Sequence, residues 1–261
     1  MAVAEYLTTP ARQRATLAET EHRPWPLPRR DGWLMAQTWE NLLFAHWPAS
    51  PDALRTHVPS ELPVDTWEGE AWLGITPFRV RGVRLRATPP PPLASSFLEL
   101  NARTYVTLEE KPGIWFFSLD ASSRLAVEAA RRLYRLPYFH AGMSADVDGG
   151  GRVRYTSARR TSRERRAEFR AAYRPSGDAS PAALGSLEAF LAERYCLYTV
   201  HRGRVLRGEI HHPPWPLRAA EAELERNSMA PPGIPTDGEP LLHLADRQDV
   251  LIWPLEPVDG A

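Results

Sequence analysis

Short apolar runs, many of them alternating with polar residues, dominate the pattern along the chain. Runs of aromatic and β-branched residues that end at Gly, Pro, Asn or Asp are typical of strands, in which alternate side chains share one face. Glycine-rich turns join several of them, as at Gly69 and at 148–151. The pattern predicts strands at about 33–47, 75–83, 98–108, 114–119, 138–147, 152–162, 168–173, 195–200, 205–210 and 241–255.

Helical spacing is strongest in residues 121–134. Leu125, Ala126, Ala129, Ala130 and Leu133 form one apolar stripe, and the arginines and Glu128 of this segment lie off it. Asp120 stands where a helix cap is expected. A second helix is predicted at about 183–194, a short one at Ser50-Pro51-Asp52, and a marginal one within 4–20.

The succession of hairpins with few helices predicts an α+β, β-rich fold. We expect a mostly antiparallel sheet, closed into a β-barrel, with two or more flanking helices. Residues 1–30 are polar and end in a proline-rich stretch, so they are interpreted as an N-terminal arm. Since no long polar linker follows, 31–257 is predicted to be a single domain of the 261-residue chain.

Charge balance and the search for membrane-spanning and signal segments limit the partners and the location expected for this protein. Lys+Arg and Asp+Glu both number 32, and a balanced charge argues against a nucleic-acid binder or an anionic-membrane binder. No run of apolar residues is long enough for a transmembrane helix, and the first 25 residues lack the apolar core of a signal peptide. The expected location is the cytoplasm. The lone Cys196 is expected to be a small buried hydrophobe.

Motifs for common catalytic chemistry are absent from the sequence. There is no phosphate-binding loop, dinucleotide fingerprint, zinc-protease helix, C-x-x-C or nucleophile elbow, so neither a metal nor a cofactor is expected. His211 and His212 are the densest histidine cluster. Because adjacent strand residues point to opposite faces, they are not expected to chelate one ion, although one of them could contribute to a pocket.

The arginine-rich hairpin, residues 152–174, holds nine arginines. Such a cluster is compatible with an anion-binding or nucleic-acid-binding patch. It is also what a solvated hairpin would look like in this protein, in which 31 of the 32 basic residues are arginine and only Lys111 is lysine. The second interpretation is favoured.

Several segments resemble the YqjF-like bacterial family. They include WENLLFAHW at 39–47, WLGITPF at 72–78, ELNARTYV at 99–106, GIWFFSLD at 113–120, YRLPYFHA at 134–141 and HHPPW at 211–215. The resemblance covers roughly residues 30–257. That family in turn resembles, more remotely, the acetoacetate-decarboxylase-like superfamily. The resemblance implies an acetoacetate-decarboxylase-like closed β-barrel with a central cavity.

The remote resemblance also locates a candidate site. Such decarboxylases carry a helix, an aromatic residue and Pro-Lys-Lys, whose first lysine forms a Schiff base. Here Pro137 is followed by Tyr138 and Phe139, so both lysines are replaced. Glu99 lies where the resemblance places the active-site carboxylate. Lys111 is not expected to substitute, because it lies in a predicted surface turn after two glutamates whose charges favour the protonated amine.

Three functions therefore remain open. The first is a small-molecule-binding barrel in which Tyr138, Phe139 and His140 line the cavity beside Glu99, Asn101 and Arg103, with an apolar ligand that carries one or two polar groups. The second is a lysine-independent lyase, isomerase or hydrolase with Glu99 and His140 as its acid–base pair. The third is an interaction protein that uses the arginine-rich hairpin. The sequence leaves the ligand and any homo-oligomer undetermined.

Overall fold

A computed structural model describes residues 3–29, 32–92, 95–159 and 166–258. In these ranges the helices are α1 (Val3–Ala15), α2 (Pro51–Arg55), α3 (Arg124–Leu133) and α4 (Leu187–Ala192). The strands are β1 (Met35–Ala49), β2 (Ala71–Leu85), β3 (Phe97–Leu108), β4 (Lys111–Ala121), β5 (Tyr138–His140), β6 (Gly142–Val147), β7 (Val153–Arg159), β8 (Ala167–Ser180), β9 (Cys196–His201), β10 (Arg204–His211), β11 (Leu217–Asn227) and β12 (Leu241–Pro257).

Seven strands close into a barrel in the order β1-β2-β3-β4-β9-β10-β12, because β12 also pairs with β1 along most of its length. These pairings are antiparallel except for β4 with β9, which run parallel. Alternate residues of β1 therefore face opposite sides. Leu42 and Phe44 pack in one apolar cluster, whereas Leu43 and Ala45 pack in another. The predicted fold class, a mostly antiparallel barrel with flanking helices, is confirmed.

Beyond β12 the sheet continues outside the barrel through β11, β8, β7 and β6, a region called here the outer sheet. Its inner face carries Tyr155, Phe169 and Tyr173, which pack against the outward-facing residues of β1 and β2. β11 was not predicted from the sequence. The hairpin predicted between 138–147 and 152–162 is confirmed for β6 and β7, whereas β5 pairs in parallel with β4 instead. Residues 160–162 of this prediction lie outside the described residues.

Helix α3 follows β4 closely and packs against β4 and β5. Its cap is Ser123, whose Oγ accepts a hydrogen bond from the Ala126 amide at 3.3 Å. The predicted cap, Asp120, is instead a buried residue of β4 that accepts two hydrogen bonds from the Arg159 guanidinium. A charged pair inside the core explains this difference, since the carboxylate has a stronger partner there than a helix amide.

The N-terminal segment packs on the barrel wall. Gln13 is buried and donates to Thr38 Oγ1 at 3.1 Å and to the Gly82 carbonyl at 3.0 Å. Gly82 has a φ of +58°, and a Cβ there would lie 2.7 Å from Thr9, so this close approach requires glycine. Among the described residues, no helix is long and apolar enough to cross a membrane.

Candidate functional site

A cavity of about 610 Å³ occupies the barrel interior, and all seven barrel strands contribute to its lining. Most of the lining is apolar, including Trp39, Phe78, Phe116 and Trp215. The stripe of α3 predicted from the sequence, Leu125, Ala126, Ala129, Ala130 and Leu133, forms part of the same wall. A mostly apolar enclosure of this size with a few polar groups is typical of a small-molecule site.

One face of β3 supplies a row of polar side chains to this cavity. Glu99, Asn101 and Arg103 alternate along the strand, so all three point inward. Thr76 on β2 lies opposite Asn101 in the sheet register and joins the row. Asn101 Oδ1, Thr76 Oγ1 and Arg103 Nε are buried without a hydrogen-bond partner. Unpaired buried polar atoms are costly, so this row is set up to receive polar atoms from a ligand or from water.

Arg103 is the most unusual member of the row. The residue is only 6% exposed, and no acidic side chain of the described residues pairs with it. Its guanidinium carbon lies 5.3 Å from the ring centroid of Phe44 and 5.8 Å from that of Tyr105. Cation–π contacts of this kind partly offset the burial of the charge but leave its hydrogen-bond donors available.

Gly74 creates the space that Arg103 occupies. It lies between His46 on β1 and Arg103 on β3, and a Cβ at this position would lie 3.1 Å from the His46 ring and 3.2 Å from Arg103 Cγ. His46 Nε2 lies 2.6 Å from the Tyr105 hydroxyl. Burial, together with the Arg103 charge, holds the pKa of His46 well below its ordinary value, so its imidazole is neutral and adds no charge beside Arg103.

Glu99 and Tyr138 are joined by a hydrogen bond in the lining of the cavity. The Tyr138 hydroxyl donates to Glu99 Oε2 at 3.0 Å. Burial raises the pKa of Glu99 to about 8, although the Tyr138 hydrogen bond acts in the opposite direction. Burial and the proximity of Glu99 raise the pKa of Tyr138 well above its ordinary value. At pH 7 both groups are therefore mostly protonated, and Glu99 can donate a hydrogen bond as well as accept one.

The turn after α3 places Tyr138 in the wall. Arg135 has a φ of +54°, which reverses the chain just after the helix ends. Pro137 then accepts from the Leu119 amide through its carbonyl at 3.0 Å. Arg131 donates from Nε to the Tyr138 carbonyl at 2.7 Å, so α3 and β5 are held together. Residue 138 is thereby fixed beside β4 with its side chain toward Glu99.

A second guanidinium in the lining is neutralised. Arg194 donates from Nη1 to Asp65 at 2.6 Å and from Nε to the Phe190 carbonyl at 2.6 Å. His212 also lines the cavity, whereas its neighbour His211 bonds to the Thr16 carbonyl on the other side of the wall. The two histidines thus point to opposite faces as predicted. In the described part of the chain, no group of His, Cys, Asp and Glu side chains could hold a metal ion.

The structure gathers four of the six predicted site residues: Glu99, Asn101, Arg103 and Tyr138. Phe139 instead lines a groove of about 510 Å³ on the other side of the wall, where its ring lies 3.9 Å from the Arg159 guanidinium carbon. His140 is half-buried and belongs to the lining of neither space. Glu99 and His140 therefore do not share the cavity. The break at Ala141 and the parallel pairing of β5 separate this segment from the predicted hairpin.

Sequence reasoning missed Thr76, Tyr134, Arg194 and Trp215 as lining residues. Thr76 reaches Asn101 only through the register of β2 with β3, which the sequence does not reveal. Tyr134 ends α3 at a helical spacing after Ala130, and this was the one local signal available.

Lys111 lies outside the lining of the cavity. It begins β4, and its side chain is 12% exposed rather than fully exposed as expected from the turn composition. The amine forms an ion pair with Glu209 and lies 5.8 Å from the Trp25 ring centroid. The N-terminal segment and β10 thus cover a lysine that the sequence placed at the surface.

The arginine-rich hairpin forms ion pairs within the outer sheet. Arg152, Arg170 and Arg174 pair with Glu223, Glu225 and Glu221 respectively. These three glutamates alternate along β11, so β11 carries a row of negative charges that complements the three arginines. Arg160, Arg163 and Arg165 lie outside the described residues.

Comparison with solved structures places this barrel and its cavity in a known fold. The chain aligns with an acetoacetate decarboxylase-like enzyme from Sphingomonas wittichii RW1 at a TM-score of 0.62, covering 93% of this chain and 99% of that chain at 13% identity. The enduracididine biosynthesis enzyme MppR complexed with pyruvate also gives 0.62, with 92% and 95% covered at 12% identity. The protein therefore has the acetoacetate-decarboxylase-like fold.

Sequence comparison identifies the family. The model of DUF2071, an uncharacterized conserved protein family, matches residues 36–249, and the chain belongs to that family. It is 48% identical over 225 residues to the uncharacterized protein YqjF of Bacillus subtilis (strain 168), which covers 85% of this chain and 92% of that protein. The YqjF-like resemblance of the sequence motifs is confirmed.

Proposed function

We propose that the chain binds a small organic anion in its barrel cavity without forming a covalent bond to it. The observation that carries this proposal is Arg103, a buried guanidinium that faces the cavity and has no acidic partner among the described residues. Burying an unpaired charge costs several kcal/mol. A carboxylate or similar anion in the cavity would offset that cost and use the free donors of Arg103.

The neighbours of Arg103 support an oxygen-rich head group. Asn101 and Thr76 supply an amide and a hydroxyl without partners of their own. Glu99 is mostly neutral at pH 7, since its pKa is about 8, so it does not repel an anion and can donate to it. The rest of the lining would contact apolar atoms of the ligand.

Non-covalent binding is favoured because the cavity wall contains no amine that could form an imine. Lys111 is the only lysine in the sequence, and its amine is paired with Glu209 away from the cavity. The position after Pro137 carries a tyrosine, whose phenol cannot form a Schiff base. The protein would thus share a barrel with lysine-dependent decarboxylases while holding its ligand by hydrogen bonds alone.

Calorimetric titration tests this proposal with benzoate, 2-oxobutanoate and hexanoate, each compared with its neutral amide. We expect the acids to bind at least tenfold more tightly than the amides. Arg103→Gln should weaken acid binding about 100-fold, because it removes charge-assisted hydrogen bonds worth roughly 1.5–3 kcal/mol. Arg132→Gln, on the exposed face of α3, is the matched control. Unchanged affinity in Arg103→Gln, or an adduct on Lys111 trapped by borohydride, would refute the proposal.

A second candidate function is a lysine-independent enzyme, and the Glu99–Tyr138 pair favours it. A carboxyl group with a pKa of about 8 can exchange a proton with a bound ligand near neutral pH. His140 takes no part in this version. Deuterium exchange at the carbon next to the carbonyl of 2-oxobutanoate, followed by NMR, tests it: exchange that is faster with the wild type than with Glu99→Gln supports catalysis. Equal rates eliminate Glu99 as the base.

A further inference from the structure

The polar and apolar parts of the cavity lie at different depths. Arg103, Asn101 and Thr76 are all buried, whereas Leu125 and Leu133 of α3 are 66% and 55% exposed although they also line the cavity. The end of β2 and the segment after it add the exposed Leu85, Pro89 and Pro91 to the same lining. The apolar mouth, defined here as Leu85, Pro89, Pro91, Leu125 and Leu133, therefore leads inward to a charged end.

This arrangement is the reverse of what a small, fully polar ligand requires. A polar ligand would gain nothing from apolar side chains held at the solvent boundary, whereas several apolar side chains grouped at the rim of one cavity are typical of a ligand-binding groove. The volume of the cavity also favours a ligand larger than a three-carbon acid. A space of about 610 Å³ corresponds to roughly 20 water molecules at ~30 Å³ each, and a three-carbon acid would displace only a few of them.

We infer that the ligand is an amphiphilic monocarboxylate, with its head group at Arg103 and an apolar tail that extends along the α3 stripe to the apolar mouth. This inference rests on the proposed function and specifies its substrate class. Between the two leucines, α3 presents only the short side chains of Ala126, Ala129 and Ala130 to the cavity. These small side chains leave room for an extended ligand chain. Trp39 and Trp215 line the same space and provide a fluorescence signal for its occupation.

Titration with butanoate, hexanoate, octanoate and decanoate, followed by tryptophan fluorescence below micellar concentrations, tests the inference. Each added methylene should tighten binding about two- to fourfold until the chain reaches the mouth. Octanol and octylammonium, which share the tail but lack the anion, should bind at least tenfold more weakly than octanoate.

Variants separate the tail from the head group. Leu133→Asp and, independently, Leu125→Asp should weaken octanoate binding at least fivefold and weaken butanoate binding by a clearly smaller factor. Leu184→Asp, at an exposed leucine outside the cavity lining, is the control. Equal affinities for butanoate and octanoate, or mouth variants that bind octanoate like the wild type, would overturn the tail inference while the proposed function stands. A wild-type protein that binds none of the acids would overturn both.

Discussion

Two sets of arginines in this protein have opposite surroundings. On the outer sheet, Arg174 pairs with Glu221, and both side chains are more than half exposed. In the cavity, Arg103 is buried and forms no ion pair with an acidic side chain of the described residues. The outer sheet holds the densest cluster of positive charge in the sequence, yet Arg152, Arg170 and Arg174 are balanced by glutamates of β11. Arg103, with a buried Nε that has no hydrogen-bond partner, is therefore more informative about function than the cluster.

The largest effect should come from Glu99, the acidic neighbour of Arg103 on β3. Its pKa is raised from 4.5 to about 8 by burial, so folding is favoured most below pH 4.5 and this contribution is lost as pH rises to 8. The loss amounts to roughly 5 kcal/mol, at about 1.4 kcal/mol for each pH unit. Glu99→Gln should remove this slope.

Urea unfolding of the wild type and of Glu99→Gln at pH 5, 6, 7 and 8 measures that difference. Glu221→Gln on the outer sheet serves as the control for the same chemical change at an exposed site. If the wild type and Glu99→Gln show parallel pH profiles, Glu99 is not held neutral in the cavity.

Removal of the Arg103 charge should raise stability. Arg103→Met eliminates an unpaired buried cation and keeps much of the side-chain volume, so we expect the free energy of unfolding to increase by about 1–3 kcal/mol. Arg174→Met should leave it nearly unchanged, because exposed ion pairs contribute little to stability. Thermal and urea unfolding of the two variants measure this difference. If Arg103→Met were less stable than Arg174→Met, the comparison would be contradicted.

Gly74→Ala should produce a smaller effect through Arg103. The new methyl group would crowd His46 and Arg103 at 3.1–3.2 Å, so one of them must shift. We expect a stability loss of about 1–2 kcal/mol and a modest loss of anion affinity, read by unfolding and by titration. Gly149→Ala, where a Cβ would meet nothing within 4 Å, is the control. Equal affinities in both variants would show that Arg103 does not depend on this space.

The smallest effect on stability is expected when an exposed ion pair of the outer sheet is removed. Arg174→Gln should lower the free energy of unfolding only slightly, and that loss should shrink in high salt because exposed ion pairs are screened. Unfolding at low and high ionic strength measures it. A cost of several kcal/mol that salt does not change would mean that the outer pairs are not solvated.

Local periodicity predicted most of the fold, and its failures have physical causes. Strands β1, β3, β4 and β10 carry clear apolar runs and were predicted. β11 is rich in Ala, Glu, Leu and Arg, residues that favour helices when isolated, and it becomes a strand through its pairing with β8. Tertiary pairing thus overrides local propensity here.

The candidate site was predictable where it lies on one strand. Period-two alternation placed Glu99, Asn101 and Arg103 on one face, and the position after Pro137 drew attention to Tyr138. Residues such as Thr76 and Arg194 reach the cavity through strand register and barrel closure, which no local pattern records. His140 failed as a partner for Glu99 because it lies at the end of β5, beside Ala121, and does not line the cavity.

The most direct test of an anion held by Arg103 is a crystal structure of the protein grown with hexanoate. We expect the carboxylate within hydrogen-bond distance of the Arg103 guanidinium, no covalent bond to the protein, and the alkyl chain directed toward α3. A carboxylate bound away from Arg103, or a cavity that stays free of hexanoate at saturating concentration, would contradict the account.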